Sequence, residues 1–158
     1  MQVRVGLGLD LHPWSDDQGR RLRLGGIDFP DHRGLAGHSD ADAVAHACID
    51  ALLGAAGLGD IGQHFGDSDP AWAGADSVGL LAEATRRVRA AGWEPGNVDC
   101  SVVLDAPHLA PVRGEMAEKL SAAVGAPVTV TGRRTEGIGA LGRGEGVAAW
   151  AVAVVTRP

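Results

Sequence analysis

Residues 37–46 bring two histidines and two aspartates together at the predicted start of a helix. Ser39, followed three positions later by Asp42, is typical of a helix N-cap and its capping-box partner. On a helix, Asp42 and His46 are four residues apart and share a face. A carboxylate and an imidazole at the open end of a helix suit a metal or phosphate site. Taken alone, the segment slightly favours a simpler interpretation, a capped helix with one incidental histidine.

A second pair of an aspartate and a histidine lies near the N-terminus. The pattern of residues 2–10 predicts a strand, and Pro13 marks the end of this segment. Asp10 and His12 are two residues apart, so on a strand their side chains project to the same side. With His46 they make three ligands, and three protein ligands with one open position are typical of catalytic zinc. An Asp-x-His pair is a weak signal by itself. The three residues form a site only if the fold joins this strand to the helix.

The composition limits the kind of protein that carries such a site. The 158 residues predict a single domain, 1–158, with a core that needs no disulfides. A net charge of −6 without a long basic run argues against nucleic acid as a partner. No apolar run approaches a membrane span and the N-terminus enters a strand pattern at once, so we expect no membrane association and no signal peptide. Cys48 and Cys100 lie in apolar segments and are predicted to be free, buried and structural, as in a reducing cytoplasm.

The hydrophobic periodicity predicts two strands, two helices, a strand, a helix and two final strands. This order is typical of an α+β domain in which a mostly antiparallel sheet is covered by helices on one face. The last strand is apolar on both faces, which predicts a central position or an interface. The predicted strands are residues 2–10, 21–28, 97–105, 127–133 and 146–155, and the predicted helices run over 40–56, from Ser77 to near Gly92, and from Pro111 to near Gly125.

The connection between the first two predicted helices, residues 59–70, is long and polar. Loops of this length are usually functional or disordered, and Phe65 and the glycines argue against disorder. Its carboxylates could hold sugar hydroxyls or a cation. A solvated loop built on Asx-turns explains the same residues equally well.

Several strings, in order along nearly the whole chain, resemble the 2-C-methyl-D-erythritol 2,4-cyclodiphosphate synthase family of the non-mevalonate isoprenoid pathway. A series of motifs in this order is far more specific than any one of them. The matching strings are Gly-Leu-Asp-Leu-His at 8–12, His-Ser-Asp-Ala-Asp at 38–42 with His46, the glycine-rich run at 50–62, Gly-Ala-Asp-Ser at 74–77, Gly-Asn-Val-Asp at 96–99, Ala-Pro at 106–107, Thr-Glu-Gly-Ile-Gly at 135–139 and Gly-Arg-Gly-Glu-Gly at 142–146.

The resemblance implies a homotrimer with the sheets around a threefold axis, the helices outside and the active sites between subunits. It implies a metal-assisted intramolecular phosphoryl transfer on a cytidine diphosphate ester of methylerythritol 2-phosphate, with release of CMP. Zinc would be held by Asp10, His12 and His46. Glu136, beside Thr135 in the catalytic set, would place magnesium or manganese. Nucleophile and electrophile belong to one substrate, so the site mainly has to fold it and neutralise its charge.

The remaining site residues are also carried over from the resemblance. Arg143 would ring the threefold axis, where an isoprenoid diphosphate could bind in a central cavity; a structural ion pair with Glu145 is the alternative. Contacts to the methylerythritol and its phosphate are implied for His38, Ser39, Asp60, Gly62, Phe65 and Asp67, and contacts to the nucleotide for Ala106, Pro107, His108, Arg133 and Arg134.

The chain departs from the usual family pattern on the nucleotide side. Arg133 and Arg134 replace two small hydroxyl residues; they could clamp phosphate oxygens or block the nucleotide and displace the second metal. His108 replaces a lysine, which weakens a fixed positive charge. Two other functions stay open: a zinc-dependent phosphoester hydrolase that activates water, and a non-catalytic trimer that binds a diphosphate.

Overall fold

A computed structural model describes residues 1–158, in which a four-stranded sheet carries a layer of helices on one face. A separate two-stranded hairpin packs at one end. The strands are β1 (Gln2–Pro13), β2 (Arg21–Leu24), β3 (Ile27–Arg33), β4 (Glu94–Val103), β5 (Val128–Arg133) and β6 (Gly146–Arg157). The helices are α1 (Ala43–Ala56), the short α2 (Ile61–His64), α3 (Ser77–Ala90), α4 (Arg113–Val124) and the short α5 (Gly139–Gly142), with a 3₁₀ turn at Pro70–Trp72.

The main sheet has the order β1-β6-β4-β5, so β6 occupies the interior position expected from its two apolar faces. β6 pairs antiparallel with both β1 and β4, whereas β4 and β5 are parallel. The prediction of a mostly antiparallel sheet is therefore wrong: the sheet is mixed. The reason is the connection through α4, because a helical crossover returns the chain in the same direction along the sheet.

The predicted strand at 21–28 is divided into two. Gly25 and Gly26 both have positive φ, at 58° and 75°, which is the backbone of a tight hairpin turn. β2 and β3 pair across this turn and lie outside the main sheet. Sequence reasoning missed β3 beyond residue 28, because Pro30 and the charged residues after it have low strand propensity.

The inward face of β1 explains how strand and helix come together. Gly6 and Gly8 leave no side chain between β1 and α1, and a Cβ at Gly6 would stand 2.0 Å from the carbonyl oxygen of Ala51. The same face continues, two residues at a time, to Asp10 and His12. Close backbone contact along β1 thus sets these two side chains beside the first turn of α1.

The start of α1 differs from the prediction. The helix begins at Ala43 with Asp42 as its N-cap, not Ser39. The buried Asp42 carboxylate accepts hydrogen bonds from the backbone N–H groups of Ala45, Gly25 and Gly26 at 2.7–3.0 Å. It therefore joins α1 to the hairpin turn and does not share a metal-facing surface with His46.

The predictions for two helix ends and for the cysteines are confirmed. Gly57 and Gly125 end α1 and α4 in the left-handed conformation. Cys48 and Cys100 are free and buried. None of the helices combines the length and apolar character that crossing a bilayer demands.

The outward face of the main sheet is apolar and uncovered. Alternate residues of β1 point away from the helices and are 46–68% exposed, and neighbouring positions of β6 continue the surface. These exposed side chains are Val3, Val5, Leu7, Leu9 and Leu11 on β1, with Trp150 and Val152 on β6.

Candidate metal centre and adjoining pockets

Asp10, His12 and His46 each offer one ligand atom, and these atoms lie within 4.8 Å of one another. The Asp10 Oδ2 atom is 2.8 Å from His12 Nε2 and 3.6 Å from His46 Nδ1. The two imidazole nitrogens are 3.3 Å apart. The end of β1 supplies two members and the first turn of α1 supplies the third, so the fold joins the strand and the helix.

The donor set fits a divalent cation. His12 Nδ1 lies 2.8 Å from the carbonyl oxygen of Ala36, and because a carbonyl only accepts, Nδ1 donates there. When the ring is neutral, Nε2 is therefore the nitrogen with the lone pair, and it faces Asp10. Asp10 Oδ2 is buried and has no hydrogen-bond partner of good geometry. One carboxylate oxygen and two imidazole nitrogens that converge in this way make a set typical of Zn²⁺ with an open position.

The charges at the cluster depend on one another. Burial raises the pKa of Asp10, but the neighbouring His12 and His46 outweigh it and lower the pKa to about 2. Burial lowers the pKa of His12, and the Asp10 carboxylate outweighs that effect and raises it. The Asp10 carboxylate is therefore charged at neutral pH, ready to neutralise a bound cation.

A cavity of about 660 Å³ opens beside the cluster. Its wall includes Phe65, which is 5% exposed and packs edge-on against Trp72 with ring centroids 5.0 Å apart. Five residues predicted to bind methylerythritol or its phosphate line this cavity with the cluster: His38, Ser39, Gly62, Phe65 and Asp67.

Asp60 has a different position from these five. Its carboxylate caps α2 by accepting a hydrogen bond from the N–H of Gln63 at 2.9 Å, and it does not line the cavity. Asp67 is 90% exposed and lies 3.8 Å from His38 Nδ1, so these two side chains face each other at the cavity rim.

A second pocket, of about 180 Å³, lies between the ends of β4 and β5. Pro107, His108, Arg133 and Arg134 line it as expected for the nucleotide side, and Arg113 joins them. Ala106 lines a neighbouring shallow pocket instead. The metal-centre cavity and this pocket share no lining residue, so one chain alone does not join the two halves of the expected site.

Thr135 ties the rim of this second pocket together. Its Oγ1 donates to Asp105 Oδ2 at 2.6 Å, and its N–H donates to Asp105 Oδ1 at 3.1 Å. These hydrogen bonds lower the pKa of Asp105.

Glu136 follows Thr135 with its backbone in the left-handed region, at φ 52°. Its side chain is exposed and lies outside the metal cluster. Arg143 is also exposed, and its Nε lies 2.7 Å from Glu145 Oε2.

Sequence reasoning missed several residues of the site. Ser77 was predicted only as the start of a helix, yet its buried hydroxyl is 2.7 Å from His46 Nε2. Asp40, which accepts from Ser77, was seen only as part of a motif. Trp72 and Arg113 line the two pockets. The one sequence signal near Ser77 was the family-like motif at 74–77, and a motif does not reveal which side chain Ser77 contacts.

Comparison with known proteins identifies the family. The model of the YgbB family matches residues 3–156. The chain belongs to the YgbB family. The resemblance drawn from the sequence motifs is therefore confirmed.

Individual YgbB-family relatives agree along the full length. A protein of Bordetella petrii named 2-C-methyl-D-erythritol 2,4-cyclodiphosphate synthase is 51% identical over 157 residues, which cover 98% of this chain and 96% of the relative. A solved, CDP-bound structure of a 2C-methyl-D-erythritol-2,4-cyclodiphosphate synthase is 38% identical, with a TM-score of 0.86, and the match covers 97% of this chain and 100% of that one.

A larger structural neighbour is the bifunctional IspDF of Campylobacter jejuni, at 34% identity and a TM-score of 0.92. The match covers 99% of this chain but only 43% of that protein. The chain described here therefore corresponds to one part of the bifunctional protein.

Proposed function

We propose that this chain is a 2-C-methyl-D-erythritol 2,4-cyclodiphosphate synthase, a phosphorus–oxygen lyase that releases CMP. The observation that carries the proposal is the convergence of Asp10, His12 and His46 at the mouth of a cavity, in a chain 51% identical to a relative of that name. The substrate would be 4-diphosphocytidyl-2-C-methyl-D-erythritol 2-phosphate.

The reaction is an intramolecular displacement. An oxygen of the 2-phosphate forms a bond to the β-phosphorus. The bond from that phosphorus to the oxygen bridging the α- and β-phosphates breaks, and CMP leaves with the bridging oxygen and its electron pair. No protein nucleophile is needed, because both reacting groups belong to one substrate and the protein gains rate by holding them together.

The proposed zinc site follows from the donor set of Asp10, His12 and His46. Glu136 as a ligand of magnesium or manganese stays a prediction of the resemblance. Bound cations would neutralise charge on the phosphate oxygens. His38 and Ser39 at the cavity wall would bind the phosphate of the methylerythritol moiety. Phe65 and Trp72 would form an apolar wall of the cavity beside the bound substrate.

We place the complete site between subunits of a homotrimer. The nucleotide pocket and the metal-centre cavity share no residue within one chain, so a neighbouring copy would bring them together. The uncovered apolar face of β1 supplies a surface for that contact, since contiguous exposed apolar patches mark interaction sites. The threefold arrangement with the sheets inside stays a prediction of the resemblance.

The charged residues of the second pocket bear on how the nucleotide would bind. Arg113, Arg133 and Arg134 outnumber Asp105 among the charged residues that line the second pocket, which favours diphosphate oxygens over a neutral ligand. We therefore assign the arginine pair to phosphate binding rather than to obstruction.

Arg143 pairs with Glu145, which favours the structural ion pair over a ligand contact. An isoprenoid diphosphate in a central cavity stays a prediction. A cytoplasmic location also stays a prediction, based on two free cysteines.

Phosphorus NMR and mass spectrometry on the purified protein with zinc, magnesium and the proposed substrate test this function. We expect the cyclic diphosphate together with an equal amount of CMP. An open-chain phosphate product would instead identify a zinc-dependent hydrolase. Tight nucleotide diphosphate binding without any product would identify a binding protein.

A further inference from the structure

The hydroxyl of Ser77 connects His46 to Asp40. Ser77 is fully buried at the first position of α3, and its Oγ lies 2.7 Å from His46 Nε2. The same hydroxyl donates a short hydrogen bond to Asp40 Oδ1, while the Ser77 N–H donates to Asp40 Oδ2 at 2.9 Å. Both oxygens of one carboxylate are thus directed at one serine.

Counting protons along this chain of contacts fixes the state of the imidazole. A serine hydroxyl has a single hydrogen, and a carboxylate can only accept, so that hydrogen points to Asp40. Ser77 Oγ can therefore only accept a hydrogen bond from His46. His46 Nε2 must therefore donate, so in the neutral, metal-binding form of the ring the lone pair is on Nδ1, which faces Asp10 and His12.

Ser39 offers a second hydroxyl to the same nitrogen, at 3.0 Å. Its hydrogen has no carboxylate to bind, so this hydroxyl can either donate to Nε2 or accept from it. Ser39 is compatible with both tautomers, whereas the contact with Asp40 restricts Ser77 to one. Of the two serines, only Ser77 can select the tautomer of His46.

Asp40 is held in place from its other side. Arg23 on the hairpin lies 3.5 Å from Asp40 Oδ2 through Nε, and its Nη2 lies 3.1 Å from Asp76, the N-cap of α3. The carboxylate thus keeps a cationic neighbour even though it is partly buried. Arg23 therefore ties Asp40 to the start of α3, where Ser77 lies.

We propose that Asp40 and Ser77 are positioning residues that hold His46 as the Nε2–H tautomer and direct its Nδ1 into the metal centre. This inference rests on the proposed function for the presence of the metal, and it adds which nitrogen binds and which residues prepare it. Partners of this kind fix the ring and strengthen binding, and their loss typically costs about 10- to 100-fold in metal affinity.

NMR on the full-length, zinc-loaded protein with ¹⁵N-labelled histidine reads the tautomer without any substitution. We expect a proton on Nε2 of His46 and a metal-bound Nδ1, and we expect the proton to remain on Nε2 after the zinc is removed by chelation. A proton on Nδ1 in either state would overturn the proposal.

Substitutions test the relay, by which we mean the contacts from Asp40 through Ser77 to His46. Chelator competition measures zinc affinity, and the absorption spectrum of the cobalt-substituted protein reports the geometry of the site. Ser77→Ala should weaken zinc binding about 10- to 100-fold and change the cobalt spectrum, and Ser77→Thr should restore both. Thr85→Val removes another buried hydroxyl from α3, one that donates to Leu81 O, and should change neither. Wild-type zinc affinity in Ser77→Ala, or a larger loss in Ser39→Ala, would contradict the assignment.

A double-mutant cycle separates the relay from two independent contacts. If Asp40 acts through Ser77, Asp40→Ala added to Ser77→Ala should cause little further loss of zinc affinity. Additive losses would overturn the relay. These measurements use no substrate, so a protein that shows the Nε2–H tautomer and binds zinc but forms no cyclic product would refute the proposed function alone.

Discussion

Gly8 lies against the backbone of Ala47 so closely that a Cβ atom at Gly8 would stand 1.9 Å from the Ala47 carbonyl oxygen. This contact fixes the distance between β1 and α1. His46 is the residue before Ala47, and Asp10 follows Gly8 on the same face of β1. The separation of the metal-binding side chains is therefore set by a glycine that is not itself a ligand.

Gly8→Ala should destabilise the fold by about 3 kcal/mol and weaken zinc binding, because α1 must move away from β1. Urea unfolding and zinc titration measure the two effects. Gly114→Ala is the control: Gly114 lies in α4 with open space at its Cβ position, so alanine there should stabilise by about 0.5–1 kcal/mol. If both variants changed the free energy of unfolding and the zinc affinity equally, this account of the β1–α1 contact would be refuted.

Asp42→Ala should destabilise the protein by about 2–4 kcal/mol, since the change leaves three backbone N–H groups without their acceptor. Asp76→Ala, which removes one exposed cap contact of α3 and an exposed ion pair with Arg23, should cost about 1 kcal/mol or less. Thermal and urea unfolding give both values. A loss at Asp42 no larger than that at Asp76 would show that the contact with the hairpin turn contributes little.

His46→Ala should reduce zinc from about one ion per chain to an undetectable level and abolish cyclic diphosphate formation, because two protein ligands hold the ion poorly. Elemental analysis and product assay follow the two quantities. His32→Ala, an exposed histidine on β3, should leave both unchanged. Chelation of the wild-type protein should remove activity reversibly, and full activity without metal would contradict the proposed role of the cluster.

The Arg134→Thr substitution should lower kcat/KM about 10- to 100-fold, since it removes a charged hydrogen-bond donor from the nucleotide pocket. Steady-state kinetics of CMP release measure the effect. Arg86→Gln changes an exposed arginine on α3 and should leave kcat/KM unchanged. A marked rise in turnover with Arg134→Thr would mean that the arginine obstructs the pocket.

The pKa of Glu83 predicts a pH-dependent contribution to stability. Hydrogen bonds from Arg86 and then Arg87 lower the pKa of Glu83 to about 2. A carboxyl group whose pKa is lower in the folded state stabilises that state above its unfolded pKa, and the contribution disappears as the pH falls towards the folded value. Because the partner Arg86 is exposed and Glu83 is partly exposed, we expect at most about 1 kcal/mol.

Glu83→Gln should therefore be less stable than the wild type at about pH 7, and the difference should shrink steadily towards about pH 3. Urea unfolding at several pH values gives the difference directly. Glu118→Gln on α4, where no ion pair is present, should show no such trend. A difference between wild type and Glu83→Gln that grows on acidification would contradict the expected sign.

The sequence predicted the chemistry of the cluster better than its surroundings. Asp10, His12 and His46 could be proposed because a strand period of two and a helix turn each place polar side chains on one face. The helix start was wrong because Ser39 and Asp42 are both good N-caps, and only the hairpin turn, with its two free N–H groups, selects Asp42. The mixed sheet was missed because local periodicity carries no information on strand direction.

By itself, the sequence determined the family, the α+β class, most element positions and the three candidate ligands, since these depend on local pattern and on motifs in order. Tertiary structure alone decided that Ser77 reaches His46, that Asp60 caps α2, and that the nucleotide pocket shares no residue with the metal-centre cavity. The physical reason is the separation along the chain over which each effect acts. Periodicity and capping act over a few residues, whereas Ser77 and His46 are 31 positions apart and meet only when α3 packs on α1.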